Sequence, residues 1–145
     1  MPHIEQFLTT NEEAEIVEAI RRAEGKTSGE IRIHIEQHCE SDVYEHALEV
    51  FHFLKMDNTA QRNGVLIYVA VDNKTFVILG DQGINNIVGA DFWNTTRDKI
   101  ASQFKSGNFK QGIIDGITEA GQALSKHFPW QQNDKDELDN TISKG

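Results

Sequence analysis

Hydrophobic positions along this chain alternate between a helical and a strand period, and the order of these stretches predicts the fold. The first helix is predicted to begin at a cap candidate, Thr10, and to end at Gly25. Its apolar residues recur at helical spacing: Ile16, Val17, Ile20 and Ala23. Residues 30–38 then alternate strictly, which predicts a strand with one buried and one solvated face. The solvated face carries Glu30, Arg32, His34, Glu36 and His38.

The next stretches predict a second helix and a hairpin. Ser41 is the expected cap of a helix that ends near Asp57-Asn58. Residues 65–71 are apolar almost without interruption, as in a strand covered on both faces, and Asp72-Asn73 is expected to turn the chain into a strand over 75–79. These two strands are therefore predicted to be antiparallel neighbours at the centre of the sheet.

Two further helices complete the pattern. One is predicted over 92–104 and the other over 109–127, where Gly112, Gly116 and Ala120 form a stripe without large side chains that another element can approach closely. The order α-β-α-β-β-α-α predicts an α/β fold of the α+β kind, a mixed sheet with a central antiparallel hairpin and helices packed on its faces. A right-handed crossover should place the first strand parallel to a central strand.

Length and composition predict one soluble domain over 1–128, followed by a polar, acidic and mobile tail over 129–145. The 23 acidic and 14 basic residues give a net charge of -9, which disfavours nucleic acid as a partner. The first residues lack the features of a signal peptide, and no apolar stretch reaches about 20 residues, which predicts a cytoplasmic protein without a transmembrane segment. The single Cys39 excludes an internal disulfide and fits a reducing compartment.

Candidate chemistry concentrates after the third predicted strand, in Gly80-Asp81-Gln82-Gly83-Ile84-Asn85 and in Asp91. The two glycines allow a sharp turn that brings Asp81 and nearby carbonyl oxygens together, and hard cations prefer such oxygen ligands. The segment is similar to the start of an EF-hand loop, but position twelve is Phe92 and not the required glutamate. The alternative interpretation is that Asp81 satisfies turn amides and Asp91 caps the following helix.

The first strand offers two more candidates. His34, Glu36 and His38 share one face, but side chains two residues apart on a strand stand about 6 to 7 Å apart and parallel, so a solvated or helix-covered face is favoured over a zinc site. Glu30 opens the strand and is a candidate to reach Asp81. The alternative for Glu30 is an exposed acid paired with a neighbouring arginine.

Three motifs carry a resemblance to a known family: Arg62-Asn63-Gly64 leading into the apolar strand, the segment 80–85, and Gly89-Ala90-Asp91-Phe92-Trp93. Together they resemble the TPM domain, named after a thylakoid lumen protein, a photosystem II repair protein and a nematode receptor modulator. The likeness spans roughly residues 10–128. It implies an acidic patch that binds a divalent ion, calcium favoured and magnesium possible. The proposed ligands are Asp81, Asp91 and Glu30, supported by Asn63, Arg62, Gly80 and Gly83.

Two functions follow from this resemblance. The first is a binding or assembly module that takes a divalent ion and recognises a protein partner. The alternative is a metal-dependent acid phosphatase, with His34 or Glu30 as the general acid. The phosphatase is disfavoured because a phosphomonoester brings about two negative charges to an acidic protein with few basic residues near the motifs. A structural assembly factor without an ion is a third interpretation.

Overall fold

The computed structural model describes residues 7–89, 91–130 and 142–144. Within those residues the helices are α1 (Thr10–Glu24), α2 (Val43–Phe53), α3 (Gln82–Val88), α4 (Asn94–Lys105) and α5 (Phe109–His127). The strands are β1 (Glu30–Glu36), β2 (Gly64–Ala70), β3 (Thr75–Gly80) and β4 (Ser143–Lys144). Most of the predicted tail, residues 131–141 and Gly145, lies outside the described residues, as do residues 1–6.

The four strands form one mixed sheet in the order β3-β2-β1-β4. β1 runs parallel to β2 with Glu30 opposite Gly64, because α2 carries the chain across the sheet between them. β2 and β3 are the predicted antiparallel hairpin, with Val65 opposite Gly80. The fold class and the parallel placement of β1 are thus confirmed. β3 lies at one edge of the sheet, and at the other edge β4 pairs with β1 opposite His34.

Helices cover both faces of the sheet, so β2 is buried along its whole length, as its apolar run predicts. On one face Ile33 of β1 and Ile67 of β2 belong to a core with residues of α1, α4 and α5. On the other face Leu66 and Tyr68 belong to a second core with α2 and the buried Met56. The two residue sets alternate along β2, as the period of a strand requires.

The solvated face predicted for β1 is wrong. Glu30 is 2% and His34 6% exposed, and Glu36 is only partly exposed. His34 stacks on the buried Tyr68 ring at 5.6 Å, and His46 of α2 reaches Glu36. The face is therefore a buried polar layer, and β1 ends at Glu36, two residues earlier than predicted.

The segment predicted as an acidic loop after β3 contains the short helix α3 instead. Asp81 is its N-cap, because its side chain accepts a hydrogen bond from the Gln82 backbone amide. Ile84 of α3 is fully buried in the first core. The helix predicted over 92–104 corresponds to α4, and that predicted over 109–127 has the same limits as α5.

The predicted small-residue stripe of α5 does receive a neighbouring element. A Cβ atom on Gly112 would lie 2.7 Å from the Phe104 ring of α4, and one on Gly116 would lie 2.7 Å from Ile100. α4 therefore packs directly against the backbone of α5. No helix in the described part of the chain has the length and apolarity needed to span a bilayer.

Candidate functional site

Asp81 lies at the junction between β3 and α3, at one end of the sheet. Its backbone amide donates to the Gly64 carbonyl of β2 at 2.8 Å, and its Oδ1 accepts from the Gln82 amide at 2.8 Å. The carboxylate is therefore anchored on a strand end and a helix start, and the residue is only 6% exposed. This geometry includes the turn-amide role that the sequence left open for Asp81.

The Asp81 carboxylate is paired with Arg62. Arg62 Nε lies 2.9 Å from Oδ2, and a terminal guanidinium nitrogen lies 3.3 Å from Oδ1. This hydrogen bond and the negative charge of Asp81 raise the pKa of Arg62. The arginine side chain is 49% exposed, and its backbone φ of 53° lies in the left-handed region that a non-glycine residue seldom adopts. A buried carboxylate is thus compensated by a half-exposed cation on a strained backbone.

Glu30 and Asp81 flank the same residue from opposite sides. Glu30 is the partner of Gly64 in β1, whereas Asp81 bonds to Gly64 from the β3 side, so two strand spacings, about 10 Å, separate their main chains. A Cβ atom on Gly64 would lie 2.8 Å from the Met56 carbonyl oxygen, so the backbone at Met56 covers this part of the sheet. Glu30 lies buried at this end of the sheet and is not the exposed acid of the alternative interpretation.

Asn63 links the elements around this end of the sheet. Its side-chain Nδ2 donates to Ser28 Oγ and to Gln61 Oε1, each at 3.3 Å. Its backbone carbonyl accepts a hydrogen bond from the Glu30 backbone amide at 3.4 Å. Gly83 packs against the same loop, because a Cβ atom there would lie 2.1 Å from the Gln61 carbonyl oxygen. Asn63 and Gly83 therefore hold the loop that positions Arg62.

Asp91 lies beyond the opposite end of α3 and is exposed. The seven residues of α3 span about 10 Å, so the helix separates Asp91 from Asp81. Asp91 does not cap α4, whose N-cap is Trp93 without a side-chain bond. Trp93 Nε1 donates to Asn85 Oδ1 at 3.2 Å, and Asn85 donates to the Gly80 carbonyl at 2.7 Å, so these bonds tie the turn at Asp91 to β3. Ala90 lies outside the described residues.

The described residues include no group of three or more histidine, cysteine, aspartate or glutamate side chains arranged to hold a metal ion. Any cation at Asp81 would therefore need main-chain oxygens or water as its other ligands. The carbonyl oxygens of Gln61 and Arg62, which Gly83 approaches two residues after Asp81, are candidates for these ligands.

A second polar cluster, around Glu36, lies at the opposite end of β1. Tyr68 Oη donates to Glu36 Oε2 at 2.5 Å, His34 Nε2 lies 3.2 Å from Oε1, and His46 Nε2 lies 3.0 Å from Oε1. The Nδ1 atom of His34 lies 2.9 Å from the hydroxyl of Ser143 in β4. A cavity of about 600 Å³, lined by residues 36–41 and His46, opens beside the cluster.

Burial and hydrogen bonding shift the protonation of this cluster in different directions. Burial lowers the pKa of His34, whereas the bond to Glu36 raises the pKa of His46. Burial opposes ionisation of Glu36, but the bonds from Tyr68, His46 and His34 outweigh it and lower the Glu36 pKa. Burial and the Glu36 bond raise the pKa of Tyr68. The cluster at neutral pH is therefore an ionised carboxylate held by a neutral phenol and two imidazoles.

The sequence pattern identified His34 and Glu36 as neighbours on one face but missed the cluster. His46 comes from a helix and Tyr68 from a strand that reads as entirely apolar, so neither carries a local signal for this contact. The predicted third member of the row, His38, lies beyond the end of β1. The histidines here are bound to a carboxylate within a covered layer, in agreement with the helix-covered interpretation.

The raised pKa of His46 predicts a pH-dependent stability. A histidine whose pKa is raised on folding stabilises the protein below its unfolded value of about 6.5, and this contribution is lost as the pH rises through the folded value. We expect His46→Gln, which keeps a neutral donor toward Glu36, to lower the melting temperature by roughly 2 to 4 °C below pH 6 and by less above pH 8.

The matched control for this experiment is His52→Gln, in the same helix. His52 pairs with Asp57 at 2.9 Å, but its side chain is 64% exposed. We therefore expect His52→Gln to change the free energy of unfolding by less than about 0.5 kcal/mol at any pH. Glu49 also faces His46 at 3.5 Å and contributes to the same shift. A difference between wild type and His46→Gln that grows with rising pH would contradict the assignment.

The protein is an α/β domain with a mixed sheet, and a buried aspartate, Asp81, lies at the junction of β3 and α3. A sequence profile of the TPM domain matches residues 4–123. The chain belongs to the TPM domain family. A search of curated proteins gives no match.

Two solved structures are similar to this chain. The NMR structure of the BA42 protein from the psychrophilic bacterium Bizionia argentinensis is 64% identical, with a TM-score of 0.92 and full coverage of both chains. The solution NMR structure of the N-terminal domain of a protein from P. gingivalis is 16% identical, with a TM-score of 0.70, over 87% of this chain and 83% of that one. The second likeness shows the fold alone.

Proposed function

We propose that this TPM domain is a binding module that takes a divalent cation, calcium favoured and magnesium possible, through the carboxylate of Asp81. The observation that carries the proposal is the burial of Asp81 at 6% exposure with Arg62 as its ion-pair partner in the described part of the chain. The resemblance to TPM domains, which implies an acidic patch that binds a divalent ion, supports the proposal.

A cation at Asp81 would replace the charge that Arg62 now supplies. The arginine is half exposed, so its side chain can move into water without leaving a buried charge of its own. The Asp81 oxygens and the carbonyls packed near Gly83 are the hard ligands that calcium prefers. Glu30 and Asp91 remain proposed further ligands, and because two strand spacings separate Glu30 from Asp81 and the length of α3 separates Asp91 from Asp81, we expect them to act through water.

A protein partner remains part of the proposal. Phe53 at the end of α2 is 82% exposed, and Trp130 is 50% exposed, which is unusual for side chains of this size. Such residues are the anchors that a partner surface most often covers. We expect the cation to stabilise the folded domain and not to take part in the contact between these aromatic side chains and the partner.

The phosphatase alternative receives less support from the geometry. Within β1, His34 lies four residues and Glu36 six residues from Glu30, distances of about 13 and 20 Å, so the Glu36 cluster lies toward the far end of the sheet from Asp81. A general acid must lie within hydrogen-bond reach of the reacting group, so a cation at Asp81 and the Glu36 cluster cannot serve one reaction. Glu30 is then the only one of the two proposed general acids at the same end of the sheet as Asp81.

Calcium titration during thermal melting tests the proposal. A cation that binds only the folded protein stabilises it by about 2.7 kcal/mol at 100 times its dissociation constant, which raises the melting temperature by roughly 8 °C. We expect Asp81→Asn to abolish this calcium-dependent rise. Arg62→Gln should instead increase calcium affinity, because the competing internal cation is gone.

Each variant is compared with and without calcium, so that its own effect on stability cancels. Asp98→Asn, an exposed acid in α4, is the matched control and should keep the full rise. Glu30→Gln and Asp91→Asn, measured singly, show whether either acid contributes. An unchanged calcium response in Asp81→Asn would exclude this site, and calcium-dependent hydrolysis of p-nitrophenyl phosphate lost in Asp81→Asn would favour the enzyme.

A further inference from the structure

An apolar cavity of about 590 Å³ lies between the β2–β3 hairpin and the α4–α5 corner. Its lining includes Phe7, Val69, Phe76, Phe104 and Phe109. Small-molecule sites in proteins commonly have volumes of about 300 to 1,000 Å³ and mostly apolar walls. The cavity therefore has the size and wall chemistry of a ligand site, and it shares no lining residue with the cavity beside the Glu36 cluster and does not include Asp81.

Four phenyl rings form a continuous wall of this cavity. The Phe7 and Phe109 centroids are 4.5 Å apart, and Phe104 lies 5.4 Å from Phe109 and 5.3 Å from Phe76. These distances are those of favourable aromatic pairs, so the wall is preorganised by its own packing. All four rings are only partly or barely exposed, which indicates that the wall is recessed rather than flat.

Two lysines complete the lining of the cavity. Lys74 of the hairpin turn and Lys105 at the end of α4 are exposed, and neither forms an ion pair within residues 7–89, 91–130 and 142–144. Asp72, the one acid among the described lining residues, accepts a hydrogen bond from Gln37 at 2.6 Å. Two lysines without an ion-pair partner among the described residues, beside an apolar recess, are notable in a chain with a net charge of -9.

We propose that this cavity binds a free amphipathic carboxylic acid, whose apolar chain lies against the phenylalanine wall and whose carboxylate lies between Lys74 and Lys105. Charge complementarity selects the occupant: a neutral hydrocarbon would leave the lysines unused, and a cation would be repelled by them. The apolar wall supplies the affinity, and the lysines supply the preference for an anion.

Displacement of a bound fluorescent aryl sulfonate, 1-anilinonaphthalene-8-sulfonate, by decanoate measures this binding in the full chain. The titration is made without calcium and below the micelle concentration, so it is independent of Asp81. We expect affinity to rise roughly tenfold for every two methylenes from octanoate to dodecanoate. Decan-1-ol should bind several-fold more weakly than decanoate, and decyltrimethylammonium more weakly still.

Variants locate the site. Ala101 lines the cavity, so Ala101→Trp should fill it and weaken decanoate binding at least about tenfold. Ser102→Trp, one residue further along α4, lines a different surface groove and should bind as the wild type does. Lys105→Gln, and Lys74→Asn, which suits the left-handed φ of 52° at that turn, should each weaken decanoate up to about fivefold and leave decan-1-ol unchanged.

Several results would overturn the proposal. One is the absence of decanoate binding to the full chain, and another is equal loss in Ala101→Trp and Ser102→Trp. Equal affinities for decanoate and decan-1-ol would remove the role of the lysines. Binding to phosphatidylglycerol vesicles without binding to monomeric decanoate would assign the surface to a membrane.

Discussion

Gly83→Ala is expected to lower the free energy of unfolding by about 3 kcal/mol, although alanine is the better helix former by about 1 kcal/mol. The new Cβ atom would lie 2.1 Å from the Gln61 carbonyl oxygen and 2.4 Å from that of Arg62. Both are backbone atoms, so no side-chain rotation relieves the clash, and the bond from the Gly83 amide to the Arg62 carbonyl at 2.7 Å must lengthen. Thermal melting should show a fall of roughly 10 °C.

Gly25→Ala is the matched control for Gly83→Ala. Gly25 ends α1 with a φ of -65°, and its new Cβ atom would meet nothing closer than 3.4 Å. We therefore expect this variant to be neutral or more stable by about 0.5 kcal/mol. Equal melting temperatures for Gly83→Ala and wild type would show that the backbone at Gln61 and Arg62 moves away from α3 at little cost. The claim that Gly83 holds the loop that positions Arg62 would then be wrong.

The parts of the fold with strong local patterns were predictable from the sequence. The unbroken apolar run of β2 requires cover on both faces, and the structure provides it. α5 has both its limits where the sequence places them, because a regular apolar face continues from Phe109 until Pro129 ends it. In these segments local propensity and tertiary packing favour the same structure.

The sequence did not predict α3. Its seven residues include one glycine and two asparagines but only one buried position, Ile84, so no helical period is visible. The helix forms because Asp81 caps its start and Ile84 is buried in the core, and both contacts depend on the position of β2. A weak local preference was overridden by tertiary packing.

The candidate sites were only half predictable for the same reason. Asp81 and Arg62 were both identified, but their pairing across 19 residues depends on the register of the hairpin. The Glu36 cluster gathers residues from β1, β2 and α2, and only the two on β1 share a sequence pattern. The buried acid of such a cluster looks, in sequence, like any polar position of a half-solvated strand.

Glu36→Leu is expected to have the second large effect, a loss of about 3 kcal/mol in the free energy of unfolding. The Glu36 side chain is 14% exposed and accepts hydrogen bonds from Tyr68, His34 and His46. Removing it leaves the hydroxyl of the fully buried Tyr68 without its acceptor, and an unsatisfied buried group costs about 1 to 3 kcal/mol. Urea unfolding at pH 7 measures the loss.

The control for Glu36→Leu is Glu49→Leu. Glu49 also contacts His46, at 3.5 Å, but its side chain is 73% exposed, so we expect a change within about 0.5 kcal/mol. Tyr68→Phe should lower the free energy of unfolding by about 1 kcal/mol in the wild type. In the Glu36→Leu background the same change should leave that free energy unchanged or raise it slightly, because the hydroxyl has already lost its partner. Additive losses in the double variant would show that Tyr68 and Glu36 stabilise the fold independently and that the cluster is not a unit.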